Sequence, residues 1–145
     1  MTRRLVKLSG WWPHLHLWLP PLAYMVLVFH LSSQSNPLPV LTEHVWDKAL
    51  HCSEYGGLAF LLCRALRGEG LGWPAALSLA FTATSVYGAT DEWHQLYTPG
   101  RSADVQDWMA DTVGAAIGLG SYVAIARMGS MLARLRPGKS RSAAE

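Results

Sequence analysis

Residues 46–66 read WDKALHCSEYGGLAFLLCRAL, and this stretch decides the fold. Polar groups open it at Asp47, Lys48, His51 and Glu54, an apolar run follows from Leu58 to Leu62, and Arg64 and Arg67 mark its end. As a helix it would be long enough to cross the roughly 30 Å hydrocarbon layer of a bilayer at about 1.5 Å per residue. Three further largely apolar stretches lie around it, near 14–31, 73–90 and 105–126. Their ends sort by sign. Arg3, Arg4, Lys7, Arg64, Arg67, Arg127, Arg134, Arg136, Lys139 and Arg141 flank one set of ends, which is ten of the twelve Lys and Arg. Glu43, Asp47, Glu54, Asp91, Glu92, Asp104, Asp107 and Asp111 crowd the other set, which is eight of the ten Asp and Glu. Such alternation is the outcome of the positive-inside rule. It predicts an all-α integral membrane bundle of four transmembrane helices in a bacterial-type plasma membrane, multi-pass, with both termini cytoplasmic.

The 145 residues leave room for one domain. A basic arm at 1–10 precedes a helical domain over 11–127, and a basic tail at 128–145, expected to be disordered, follows it. Mean hydropathy is only +0.14, because polar helix ends and tail offset the apolar stretches. A small net charge of +2 and the lack of any nucleic-acid motif argue against a nucleic-acid partner, and a basic tail beside a membrane meets anionic lipid instead. The first stretch is not read as a cleaved signal: its apolar run is long, Pro20 and Pro21 interrupt it, and no A-x-A-like site follows. Those prolines are expected to kink the first helix. Cys52 and Cys63 fall in one predicted helix about 16 Å apart along its axis, too far for a disulfide, and read as packing residues.

Small residues crowd the third stretch, and the fourth carries Gly114-x-x-x-Gly118; both patterns let helix backbones approach closely in lipid. Pro99-Gly100 marks a turn between them. Asp47, His51 and Tyr55 stand at i, i+4 and i+8 on one stripe of the second helix, and Asp91 and Gln95 at i and i+4 on the third, with Glu92 and His94 between them. Asp104, Asp107, Asp111, Gly114 and Gly118 form a stripe on the fourth. Charges inside a bilayer cost roughly 2.5–3.5 kcal/mol each on insertion scales, so these stripes are expected to face one another or a wet cleft. A bland alternative is an ion-pair network that staples the bundle together.

Taken together, Asp47-Lys48-x-x-His51-x-x-x-Tyr55-x-x-Leu58 and Asp91-Glu92-x-x-Gln95-x-Tyr97-x-Pro99-Gly100-Arg101, followed by Asp107-x-x-x-Asp111-x-x-Gly114, resemble the VanZ-like family over roughly Trp46 to Gly118. Asp111 departs from the pattern, since many members carry Asn there, so a neutral-amide role does not transfer. The name-giving member is associated with resistance to the glycopeptide teicoplanin. The resemblance therefore implies a cell-envelope setting without defining a reaction.

The expected function is binding of an anionic envelope lipid or cell-wall glycoconjugate. Lys48 and Arg101 would hold the charged group. Gln95, Tyr55, Asp107 and Asp111 complete the predicted ligand-binding set, with Asp91 and Glu92 as organisers. One alternative is an intramembrane hydrolase or transferase on a lipid-linked substrate, with His51, Asp47, Asp91 and Glu92 as catalytic candidates. Another is a proton-coupled flippase, which would need a homo-oligomer. The balance favours binding over catalysis. Asp91, Glu92, His94 and His51 have metal-ligand chemistry but no known metal signature, so no metal and no cofactor are expected. Membrane lipids and a lipid-linked envelope precursor are the expected partners. His14, His16 and His30 read as interface or packing residues.

Overall fold

The computed structural model describes residues 12–35 and 47–135. The expectations for the arm at 1–10, the loop across 36–45 and residues 136–145 fall outside the described residues. Four helices account for the rest: α1 (Trp12–Ser32), α2 (Asp47–Gly68), α3 (Trp73–Gln95) and α4 (Val105–Leu135). There is no strand among the described residues. Of the four, α1 and α4 contain windows long and apolar enough to cross a membrane, His14–Ser32 and Val105–Leu135.

α2 is the central element, packed on α1, α3 and α4, and its contact with α4 is the most extensive in the chain. Glycine makes that contact possible. A Cβ at Gly114 would run into the backbone of Cys52, and one at Gly118 into the backbone of Gly56. The Gly114-x-x-x-Gly118 spacing is thus used within the chain, where it seats α4 on α2. The remaining core is built from small and medium side chains: Leu58, Ala59, Leu62 and Cys63 from α2, Ala76 and Ala80 from α3, Ala115 and Leu119 from α4. Cys52 and Cys63 are free thiols, and Cys63 is buried.

The helices run alternately up and down. At one end, His14 Nδ1 lies 2.8 Å from a Glu69 carboxylate oxygen and Trp18 Nε1 donates to Glu69 at 3.0 Å, so the start of α1 meets the end of α2. The Glu69 carboxyl is held below its ordinary value, chiefly by the His14 hydrogen bond. Arg67 lies over the Trp73 ring at 4.4 Å, and Tyr122 of α4 packs on Phe60 and Trp73 at the same end. At the other end, Gln95 Nε2 donates to Ser32 Oγ at 3.2 Å, and Lys48 of α2 reaches Asp104 at the start of α4. Asp47, Asp91, Glu92, Asp104, Asp107 and Asp111, from α2, α3 and the start of α4, therefore share one end, and Arg64, Arg67 and the basic C-terminal half of α4 lie toward the other.

Helix bounds differ from the predicted ones where hydropathy is a poor guide. α1 runs through Pro20 and Pro21 without a break. α3 continues past 90 to Gln95, carrying Asp91 and Glu92 as helical residues. α4 continues past 126 to Leu135, so residues 128–135, assigned to the tail, are helical; they are exposed, and Met131, Leu132, Ala133 and Arg134 are good helix formers. The α3–α4 connection contains the predicted turn. Arg101 N donates to Thr98 O at 3.1 Å and Gly100 has φ +79, the pattern of a type II turn with Pro99 and Gly100 at its centre.

Candidate functional site

The site is a buried polar cluster at the acidic end of the bundle, assembled from α2, α3 and α4. α2 contributes Asp47, Lys48, His51 and Tyr55, four residues within its first nine positions. α3 contributes Asp91, Glu92 and Gln95, all buried. α4 contributes Asp107 and Asp111, also buried, and Asp104 just ahead of its first residue. Asp104 is the helix cap: its Oδ1 accepts from Gln106 N at 2.8 Å, satisfying one of the free amides of the first turn.

Two ion pairs organise the cluster. Lys48 Nζ donates to Asp104 Oδ2 at 2.8 Å and also to Asp107, so one ammonium is shared between two carboxylates. The hydrogen bond from Lys48 holds the Asp104 carboxyl below its ordinary value. One helical turn deeper, His51 Nδ1 sits 3.0 Å from Asp111 Oδ1, with Asp107 Oδ2 4.0 Å from His51 Nε2. Glu92 ties α3 to this frame, its Oε2 accepting from Asp104 N at 2.7 Å. Asp91 Oδ2 accepts from Gln95 Nε2 at 3.3 Å.

Among the described residues, Thr84 Oγ1, Glu92 Oε1 and Asp111 Oδ2 are buried with no hydrogen-bond partner, and the Tyr55 hydroxyl lies against the Asp91 carboxylate. Orphaned polar atoms are rare in native proteins and call for an explanation. A Cβ at Gly88 would lie 2.8 Å from Asp111 Oδ2 and 3.3 Å from Tyr55 Cε1, so α3 presents bare backbone where these two side chains converge.

Nine of the ten predicted residues thus fall on the helix ends that meet here: Asp47, Lys48, His51, Tyr55, Asp91, Glu92, Gln95, Asp107 and Asp111. Arg101 stands on the rim. It is half-buried in the α3–α4 loop, and its Nε donates to Gln34 O at 3.2 Å, tying that loop to the end of α1. His94, grouped by sequence with the metal-capable residues, faces α1: its ring lies 4.5 Å from Phe29, and its Nε2 is 3.0 Å from Ser33 Oγ. Sequence reasoning left out Asp104, which belongs to the α4 stripe and completes the Lys48 clamp. It also passed over Thr84, counted only as a small packing residue although it lies at i−4 from Gly88 on the buried face of α3.

A shallow groove opens beside the cluster. It has a volume of about 450 Å3, is lined by Ala49, Cys52, Met109, Ala110 and Val113, and has Lys48 and Gln106 at its polar end. Through Ala49 and Cys52 it continues into a second depression of about 470 Å3, along Gly57, Phe60 and Ile117.

A profile of the VanZ/LLP1 family matches residues 9–127. The chain belongs to the VanZ/LLP1 family. The match takes in all the VanZ-like motif residues named from the sequence, from Asp47 to Gly114, and all four helices except the last turns of α4. No curated protein and no solved structure matches the chain.

Proposed function

We propose that this VanZ/LLP1 protein spans the membrane four times with its acidic end on the non-cytoplasmic side, and there binds a lipid-linked cell-envelope glycoconjugate. The observation that carries the reading is the groove between α2 and α4, apolar along its length and headed by the Lys48–Asp104–Asp107 clamp.

Four spans are supported by an inverted distribution of polarity. Leu19, Val26, Leu79, Val86, Ile117 and Ile125 are about half exposed or more, whereas Asp91, Glu92, Asp107 and Asp111 are buried. Exposed apolar surface of this extent marks contact with lipid or a partner. α2 and α3 fall short as apolar windows because their polar groups point inward. α2 contributes none of the large exposed hydrophobic side chains and is covered by its three neighbours. Trp93 and Trp108 at one end and Trp73 at the other are exposed, in keeping with aromatic belts at two interfaces.

The head-group chemistry follows from the clamp. Lys48 is already shared by two carboxylates, so a purely anionic group would meet more negative charge than positive. A phosphate that also carries sugar hydroxyls or an amine suits the clamp better, donating to Asp104 while its phosphate takes the remaining Lys48 proton. From Lys48 to Phe60 the groove follows α2 for about 18 Å, near the ~15 Å depth of one leaflet. A contribution to glycopeptide resistance would follow if the bound conjugate is what such a drug recognises.

The test is lipid retention by the full-length protein purified in mild detergent and incubated with an envelope lipid extract, read by native mass spectrometry. Wild type should retain phosphate-bearing glycolipids. Ala110→Trp, which fills the groove, and Lys48→Ala should lose them. Indiscriminate retention that neither substitution alters would overturn the reading. Turnover of the bound lipid in the same assay would favour the hydrolase or transferase alternative, to which His51 beside Asp111 lends an acid–base pair.

A further inference from the structure

We propose that His51, Glu92 and Asp111 form a binding site for one divalent transition-metal ion, with zinc the best match. This replaces the sequence-based expectation of no metal, and it does not depend on the lipid assignment.

The first observation is geometric. One ligand atom from each of these residues, on α2, α3 and α4 respectively, lies within 4.8 Å of the other two. Zinc bonds of about 2.0–2.2 Å to nitrogen and oxygen place ligand atoms up to ~4 Å apart, so a small contraction closes the site. All three residues are buried, at 8%, 7% and 0% exposure.

The second observation is independent of that spacing. Glu92 Oε1 and Asp111 Oδ2 are buried without a hydrogen-bond partner among the described residues. Charge shows the same shortfall. Four buried carboxylates, Asp91, Glu92, Asp107 and Asp111, share the Lys48 ammonium, a metal-bound His51 being neutral. Unpaired buried charge is strongly unfavourable, and a divalent cation would supply positive charge among these residues.

An ordinary His51–Asp111 ion pair explains part of the arrangement. It leaves Glu92 Oε1 unexplained. A second trio, Asp47, His51 and Asp107, also has the spacing. It shares His51, but Asp47 is only half-buried and Asp107 is already bound by Lys48, whose charge opposes a metal ion there. The deeper trio is therefore the better site.

One imidazole with two carboxylates favours zinc or manganese over magnesium or calcium, which prefer oxygen ligands alone. Three protein ligands leave a fourth position open, as in catalytic rather than structural zinc sites.

The test uses full-length protein in detergent, stripped with chelator, loaded with Zn2+ and desalted, with metal per chain measured by mass spectrometry. Wild type should hold about one zinc per chain. His51→Ala, Glu92→Gln and Asp111→Asn should each weaken binding by at least ~10-fold, while His94→Ala retains it. Cobalt-loaded wild type should show a visible absorption band of nitrogen and oxygen ligation, a readout independent of how the variants fold. Ala110→Trp should keep its zinc, so a failed lipid assay and a failed metal assay remain distinct. Substoichiometric metal in the wild type with no cobalt band would overturn the proposal. So would zinc that survives Glu92→Gln and Asp111→Asn, or zinc lost from Asp47→Asn alone, which would move the ion to the other trio.

Discussion

Replacing Gly114 by alanine should disrupt the bundle where α4 is seated on α2, as the same change should at Gly118. The added Cβ would overlap the Cys52 carbonyl and the backbone beside it. Backbone cannot swing aside as a side chain can, so α2 and α4 must move apart along the seam that also holds Gly56 and Gly118. Overpacking of a fitted interface costs about 1–3 kcal/mol, and a clash with main chain belongs at the top of that range. Alanine returns at most ~1 kcal/mol through its better helix propensity. A net loss of about 2 kcal/mol lowers the folded-to-unfolded ratio roughly thirtyfold. Gly120→Ala is the internal control: nothing lies within 4 Å of a Cβ there, so only the propensity gain applies. Thermal or denaturant unfolding in detergent, followed by tryptophan fluorescence, should show Gly114→Ala destabilised and Gly120→Ala unchanged or slightly stabilised. Equal behaviour of the two variants would refute close backbone packing of α4 on α2.

Other expectations concern the polar cluster. His51→Ala strands the fully buried Asp111 without its counter-charge and should cost about 3–5 kcal/mol in the same unfolding assay, whereas Asp111→Asn with His51 intact should cost clearly less. Thr84→Val removes a buried hydroxyl that makes no hydrogen bond and should be neutral or stabilising by about 1 kcal/mol; marked destabilisation would mean that the hydroxyl has a partner. Asp104 titrates below its ordinary value because of Lys48, so its contribution is complete above about pH 4 and disappears as pH falls through the depressed value. Unfolding temperature measured from pH 6 to pH 2 should therefore fall less steeply for Asp104→Asn than for wild type.

Much of the architecture was legible because charge placement and helical periodicity are strong constraints. Sign segregation of charge gave the alternating direction of the four helices, and the 3–4 spacing of Asp47, His51, Tyr55 and of Asp107, Asp111 put them on inward faces. Pro99-Gly100 gave a turn, and Gly114-x-x-x-Gly118 gave close packing. What stayed hidden depends on neighbours. Periodicity assigns a residue to a face but does not say which helix that face meets. His94 therefore grouped with Asp91 in sequence, yet points at α1. Lys48 looked free to hold a ligand, because nothing local reveals that Asp104, 56 positions away, caps α4 within its reach. The ends of α3 and α4 were placed too early because polarity was taken as the end of a helix. Asp91 and Glu92 remain helical because the bundle buries them, and residues 128–135 because their own propensity suffices.

The most direct measurement of the central claim is sidedness. With Cys52 and Cys63 replaced by alanine, single cysteines at Ser102, in the loop beside Arg101, and at Ser130, near the end of α4, can be probed with a membrane-impermeant maleimide in intact cells. The account predicts that Ser102→Cys is labelled from outside and that Ser130→Cys is labelled only after permeabilisation. The reverse pattern, or labelling of both from the same side, would contradict it.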